Sequence, residues 1–153
     1  MEKEIIEGFT LVGLAIRTTN EQGQSAKDIP ALWNKFMTEN ISAQIPEKVD
    51  QQIYCMYTDY EGDFTKPYTT ILGCKVGNDM AKIPDGLVKK FIPTANYTKV
   101  VATGNLQDGA VYKAWVNIWE ADINRAYQSD FEIYGSGAQD PNNASVDIYL
   151  SIN

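Results

Sequence analysis

Apolar and polar positions along this chain predict two rounds of one order: strand, helix, strand, strand. Phe9 to Thr18 is rich in β-branched and apolar residues and predicts a strand. Asn20 to Lys27 is polar and predicts a loop. Asp28 is then placed to cap a helix with Pro30 in its first turn. Leu32, Trp33, Phe36 and Met37 recur at helical spacing and carry that helix to about Asn40. Gln51 to Thr58 and Tyr68 to Val76 predict the two strands that complete the first round. The second round opens with strand segments at Lys89 to Pro93 and Tyr97 to Thr103. Asp108 stands near the start of a helix whose apolar stripe is Val111, Trp115, Ile118 and Trp119. Phe131 to Tyr134 and Ser145 to Ile152 close the round as strands, with a loop over Ala138 to Ala144 between them.

Laying Tyr57 on Tyr134 aligns the two rounds and sets Cys55 opposite Glu132. The shared order and shared aromatics predict a duplicated βαββ unit within one domain, residues 1–153, with repeats at about 5–78 and 87–153. The expected fold class is α+β: an antiparallel sheet carrying two helices on one face, with a groove between them where ligands usually sit.

Asn124 to Tyr134 is the stretch on which a functional reading turns. Side chains alternate along a strand, so Phe131 and Ile133 point one way and Glu132 and Tyr134 the other. If the first pair packs on the helices, Glu132 lies beside a tyrosine on the opposite face. It is then either a solvated carboxylate or the one fixed negative charge in an aromatic hollow. Burying it unpaired would cost several kcal/mol or force protonation. A buried carboxylate therefore wants a donor or a cation, and a ligand can be that cation.

Composition narrows the chemistry. The 153 residues, 44% hydrophobic and 22% charged, suit a soluble globular chain. A formal charge of −7 argues against nucleic acid and favours cationic or neutral partners. The sequence has no histidine, which removes the commonest general base and zinc ligand. Cys55 and Cys74 are too few and too far apart for a zinc site, and each falls inside a predicted strand as a buried free thiol. Asp59, Glu61 and Asp63 suggest a calcium loop, but its closing position is Thr70 rather than glutamate. Neither a metal nor a cofactor is expected. Apolar runs are too short to span a bilayer, and the N-terminus lacks a signal-peptide pattern, so no membrane partner and a cytoplasmic location are expected.

Three sets of residues together carry a family resemblance: Ile53 to Glu61 (IYCMYTDYE), the strand Tyr68-Thr69…Gly73…Val76, and Trp115…Trp119…Arg125-Ala126-Tyr127 leading to Asp130-Phe131-Glu132 and Tyr134. The ordered set resembles the GyrI-like small-molecule-binding superfamily, and within it the integron-cassette effector-binding proteins. These are stand-alone versions of the ligand domain found behind some AraC-type regulators. The resemblance implies a duplicated βαββ fold with an aromatic-walled cleft around a central glutamate that favours lipophilic organic cations. That glutamate maps onto Glu132. The cleft aromatics it implies are Tyr54 or Tyr57, Tyr97, Trp119 and Tyr134, with Trp33, Phe36, Met56 and Trp115 behind them. Because the first predicted strand begins soon after Met1, no helix-turn-helix is expected, and control of transcription would need a separate, unknown protein partner. The leading expectation is a stand-alone binder of hydrophobic or cationic organic compounds of the multidrug kind. One alternative is a hydrolase of reactive small molecules with Glu132 as general base. Another is a protein inhibitor of the DNA gyrase inhibitor type, although no docking motif is evident.

Overall fold

In the computed structural model, which describes residues 2–78 and 82–153, the β-rich segments of the sequence become eight strands. The elements in chain order are β1 (Glu4–Ile6), β2 (Phe9–Thr18), α1 (Gln24–Thr38), α2 (Ile41–Gln44), β3 (Ile53–Thr58), β4 (Tyr68–Val76), β5 (Val88–Ile92), β6 (Ala95–Gly104), α3 (Ala110–Glu120), β7 (Ser129–Tyr134) and β8 (Ala144–Ser151). The strands pair antiparallel in one curled sheet, in the order β1-β6-β8-β7-β3-β4-β2-β5. Read from its two ends, this order is the same: β6-β8-β7 answers β2-β4-β3, and the short strands β1 and β5 each edge the other half.

Register shows what each face of the sheet carries. Val100, Ile148, Glu132, Cys55, Leu72 and Leu14 are successive cross-strand partners, so they form one row on one face. The row is apolar at both ends and has a carboxylate at its centre. Both long helices cover this face. Leu32 and Phe36 of α1 pack on Val12, Leu14, Leu72 and Cys74, while Trp115 and Ile118 of α3 pack on Ala102, Val146, Ile148 and Leu150. The opposite face holds a separate apolar cluster of Phe9, Leu11, Tyr54, Met56, Ile71, Ile92, Tyr97 and Phe131. Where β2 meets β4, Gly13 faces Gly73, and a Cβ on Gly13 would lie 2.1 Å from the Leu72 carbonyl oxygen. Only glycine fits there.

Several sequence expectations need correction. Glu132 shares its face with the helices, whereas Phe131 and Ile133 turn away from them; each face has its own core, and this pair packs on the other one. Helix α1 begins at Gln24, four residues ahead of Asp28, because Gly23 takes the left-handed conformation (φ 71°) that launches it. Asp28 is thus inside the helix, where it accepts from Thr18 Oγ1 and Gln24 Nε2, and Pro30 sits past the first turn. Asp108 does not cap α3, which starts from Gly109 without a side-chain cap. The three-residue β1 and the single turn α2 are too short to leave a periodic signal.

Candidate functional site

The two helices do not meet over the centre of the sheet, and a cavity of about 350 Å³ lies between them. Ala26, Ile29, Pro30 and Trp33 form its α1 wall, spaced i, i+3, i+4 and i+7 on a strip adjoining the one that Leu32 and Phe36 turn to the core. Val111, Tyr112, Trp115 and Trp119 form the α3 wall. Tyr57 of β3, Tyr68 of β4, and Glu132 and Tyr134 of β7 make the floor, and Tyr60, Phe64 and Arg125 close one end from loops. The walls are therefore chiefly aromatic. Tyr57 meets Trp115 edge-on at 5.4 Å and Tyr68 at 5.9 Å, and Phe64 stacks on Trp119 at 5.3 Å with 8° between planes.

Glu132 is 1% exposed. The Tyr57 hydroxyl donates to its Oε2 at 2.9 Å, and Trp115 Nε1 donates to the same oxygen at 2.6 Å. The Tyr134 hydroxyl donates to Oε1 at 2.7 Å. No cation pairs with Glu132 among the described residues. Burial pushes its carboxyl above the ordinary 4.5, while the bonds from Tyr134, Trp115 and Tyr57 pull it back. The same burial raises the hydroxyls of Tyr57 and Tyr134 and the thiol of Cys55 well above their usual ranges, so all three stay protonated beside the carboxylate.

Asp130, two residues earlier on the same strand face, is buried but matched. It accepts from Arg125 Nη2 at 2.7 Å, from Tyr60 Oη at 2.6 Å and from both the backbone N–H and Oγ of Ser151. The Arg125 guanidinium carbon lies over the Tyr127 ring, 4.3 Å from its centre, and 5.6 Å from that of Trp115; its Nε and Nη1 have no hydrogen-bond partner. The strand thus holds two buried carboxylates, one neutralised by an arginine and the other by none.

Of the residues singled out from sequence, Glu132, Tyr134, Trp119, Tyr57, Trp115 and Trp33 line this cavity. Tyr54, Met56 and Tyr97 do not; they lie in the core cluster on the opposite face of the sheet. Phe36, 1% exposed, is packed under α1 in the core. Strand parity carried the signal for two of these corrections: Cys55 aligns with Glu132, so Tyr57 shares its face and Tyr54 and Met56 do not. The same parity points to Tyr68, four residues before Leu72 on β4, which sequence reasoning missed. Tyr60 and Phe64 had no such signal, since a turn with Asp59 at φ 50° brings them back over the cavity.

A two-helix roof over a symmetric antiparallel sheet encloses an aromatic cavity of a size that suits a small organic molecule. The chain belongs to the integron-associated effector binding protein family, whose model matches residues 4–152. An integron cassette protein from the mobile metagenome of Vibrio cholerae is 28% identical, with a TM-score of 0.73 covering 99% of this chain and 95% of that one. The Bacillus subtilis (strain 168) protein YobU is 28% identical over 144 residues, 92% of this chain and 89% of YobU. The structure of SAV2435 bound to tetraphenylphosphonium has the same fold at 18% identity, with a TM-score of 0.75 covering 100% of this chain and 94% of that one. No helix among the described residues is long and apolar enough to cross a membrane.

Proposed function

We propose that this chain is a binder of lipophilic organic cations, held between α1 and α3, and that Glu132 selects their charge. One observation carries this reading: a carboxylate, 1% exposed, sits in an aromatic cavity with neutral donors around it and no paired cation among the described residues. Neutral donors hold the charge in place but do not cancel it, so a cation entering the cavity gains from the carboxylate as well as from the ring faces. Each desolvated aromatic face adds roughly 0.5–2 kcal/mol to such a contact. The tetraphenylphosphonium bound to SAV2435 supports the same reading, since it is a lipophilic cation in a relative of this fold. A general-base role would ask of Glu132 a lone pair open to water, and three donors hold it instead.

Glu132→Gln tests the proposal. The amide oxygen can accept from Trp115 and Tyr57 while the amide N–H donates to Tyr134, whose hydroxyl can also accept, so the fold is expected to survive. A lipophilic cation should lose roughly 1.5–3 kcal/mol, about tenfold to a hundredfold in affinity. A neutral hydrophobic dye of similar size should bind nearly as before. Equal losses for the two dyes, or none for either, would remove Glu132 as selector.

A further inference from the structure

The donors on Glu132 also bear on which cations fit, an inference that rests on the cation-binding reading above. Both Tyr57 and Trp115 donate to Oε2, at 2.9 and 2.6 Å, and Tyr134 donates to Oε1 at 2.7 Å. A carboxylate has about four lone-pair positions. Three are taken, and the remaining one is enclosed, because the residue is 1% exposed. What the cavity presents is therefore a set of ring faces with a charge behind them.

A protonated amine needs a hydrogen-bond acceptor once it leaves water. To reach one on Glu132 it must displace a bound donor. The Trp115 indole N–H can only donate, and a displaced tyrosine hydroxyl is left without a partner in an apolar enclosure. An onium ion with no N–H makes no such demand. It needs only the electric field of the carboxylate and the negative faces of the rings. Those rings are polarised by the same hydrogen bonds that occupy the carboxylate, which strengthens their pull on a cation.

We propose that this cavity prefers onium ions lacking N–H donors, such as quaternary ammonium and N-alkylated heteroaromatic ions, over protonated amines of the same skeleton, because Tyr57, Trp115 and Tyr134 occupy the acceptor positions of Glu132. The test is a calorimetric titration at pH 7 with (2-naphthylmethyl)trimethylammonium and (2-naphthylmethyl)dimethylammonium, which differ by a methyl in place of a proton. The neutral 2-naphthylmethanol serves as control. The trimethyl ion should bind roughly tenfold tighter than the dimethyl ion, the cost of one unsatisfied buried donor. Equal affinities, or a tighter dimethyl ion, overturn the proposal. Greater hydration of an N–H cation would also favour the trimethyl ion, so the deciding arm is Tyr134→Phe, which opens a position on Oε1. In that variant the dimethyl ion should gain and most of the gap should close; a gap that stays overturns the proposal. Should Tyr134→Phe fail to fold, Tyr57→Phe opens a position on Oε2 and reads the same effect. If the neutral alcohol binds wild-type protein as tightly as the trimethyl ion, the cation-binding reading itself has failed, a result distinct from a failure of N–H discrimination.

Discussion

At the scale of the residue, Glu132 is an acid whose charge depends on a balance between burial and three donors. Burial dominates, so its pKa in the folded chain lies above the ordinary 4.5 it would have when unfolded. The sign of the linkage follows. The native state takes up this proton more readily than the unfolded chain, so the stability contributed by the group is full below 4.5 and is lost as pH rises through the raised native value. Cation binding should run the other way, because the protonated acid has no charge to offer. On acidification from neutral pH, affinity for a lipophilic cation should begin to fall before pH 4.5 is reached, while the empty protein gains stability from this one group. The check is to subtract the Glu132→Gln variant from wild type in two pH series, one of urea unfolding and one of ligand titration, so that other carboxylates cancel. Affinity that holds constant down to pH 4.5 would show that burial does not set this pKa.

At the scale of the element, the two faces of the sheet divide the labour. Period-two alternation in β3 places Tyr57 with the cavity and Tyr54 and Met56 with the cluster behind it. Met56, fully buried among Phe9, Ile71 and Phe131, is a test of that division. Met56→Ala should cost about 2–5 kcal/mol of stability by leaving a cavity. The affinity of the folded protein for a lipophilic cation should nevertheless stay within about twofold of wild type, a difference of roughly 0.4 kcal/mol. A large loss of affinity in a variant that still melts cooperatively would mean that the faces communicate. The strands were legible in the sequence because this alternation is strong: β4 has the bounds that its residues predict, and β7 differs only by starting two residues earlier. Less legible was anything set by a turn. The left-handed Gly23 moved the start of α1, and the left-handed Asp59 folded Tyr60 and Phe64 onto the cavity; neither conformation leaves a periodic trace. Among the candidate aromatics, hydrophobicity alone could not separate the core from the cavity, since Phe36 and Trp33 lie on one helix with only a fraction of a turn between the two strips they occupy.

At the scale of the molecule, the symmetric strand order makes the centre of the sheet a pseudo-twofold axis. Residue pairing between β3 and β7 sets Cys55 against Glu132, and these are also the residues that the Tyr57-to-Tyr134 alignment equates, so the axis passes between them. The surroundings obey it: Tyr57 meets Trp115 at 5.4 Å and 85°, and Tyr134 meets Trp33 at 4.8 Å and 77°. At the axis itself the acid breaks the symmetry, since Glu132 faces Cys55. Two carboxylates at adjacent positions would repel until they shared a proton, which explains why a neutral thiol faces the one glutamate. The geometry therefore predicts that the glutamate can change sides. In the double exchange Cys55→Glu with Glu132→Cys, the twofold relation would leave the carboxylate between the same two tyrosines and set Trp33, which packs on Tyr134 as Trp115 packs on Tyr57, in the place of Trp115. The exchanged protein should keep its preference for a cationic over a neutral dye, with cation affinity within roughly tenfold of wild type, about 1.4 kcal/mol. The single change Cys55→Glu should instead lower stability at neutral pH, because two buried acids then compete for one ionised state, and it should recover on mild acidification. Paired dye titrations and thermal unfolding of the three proteins decide the matter. Loss of cation preference in the exchanged protein, with its fold intact, would show that the twofold relation is one of backbone only and that the cavity depends on the particular donors around position 132.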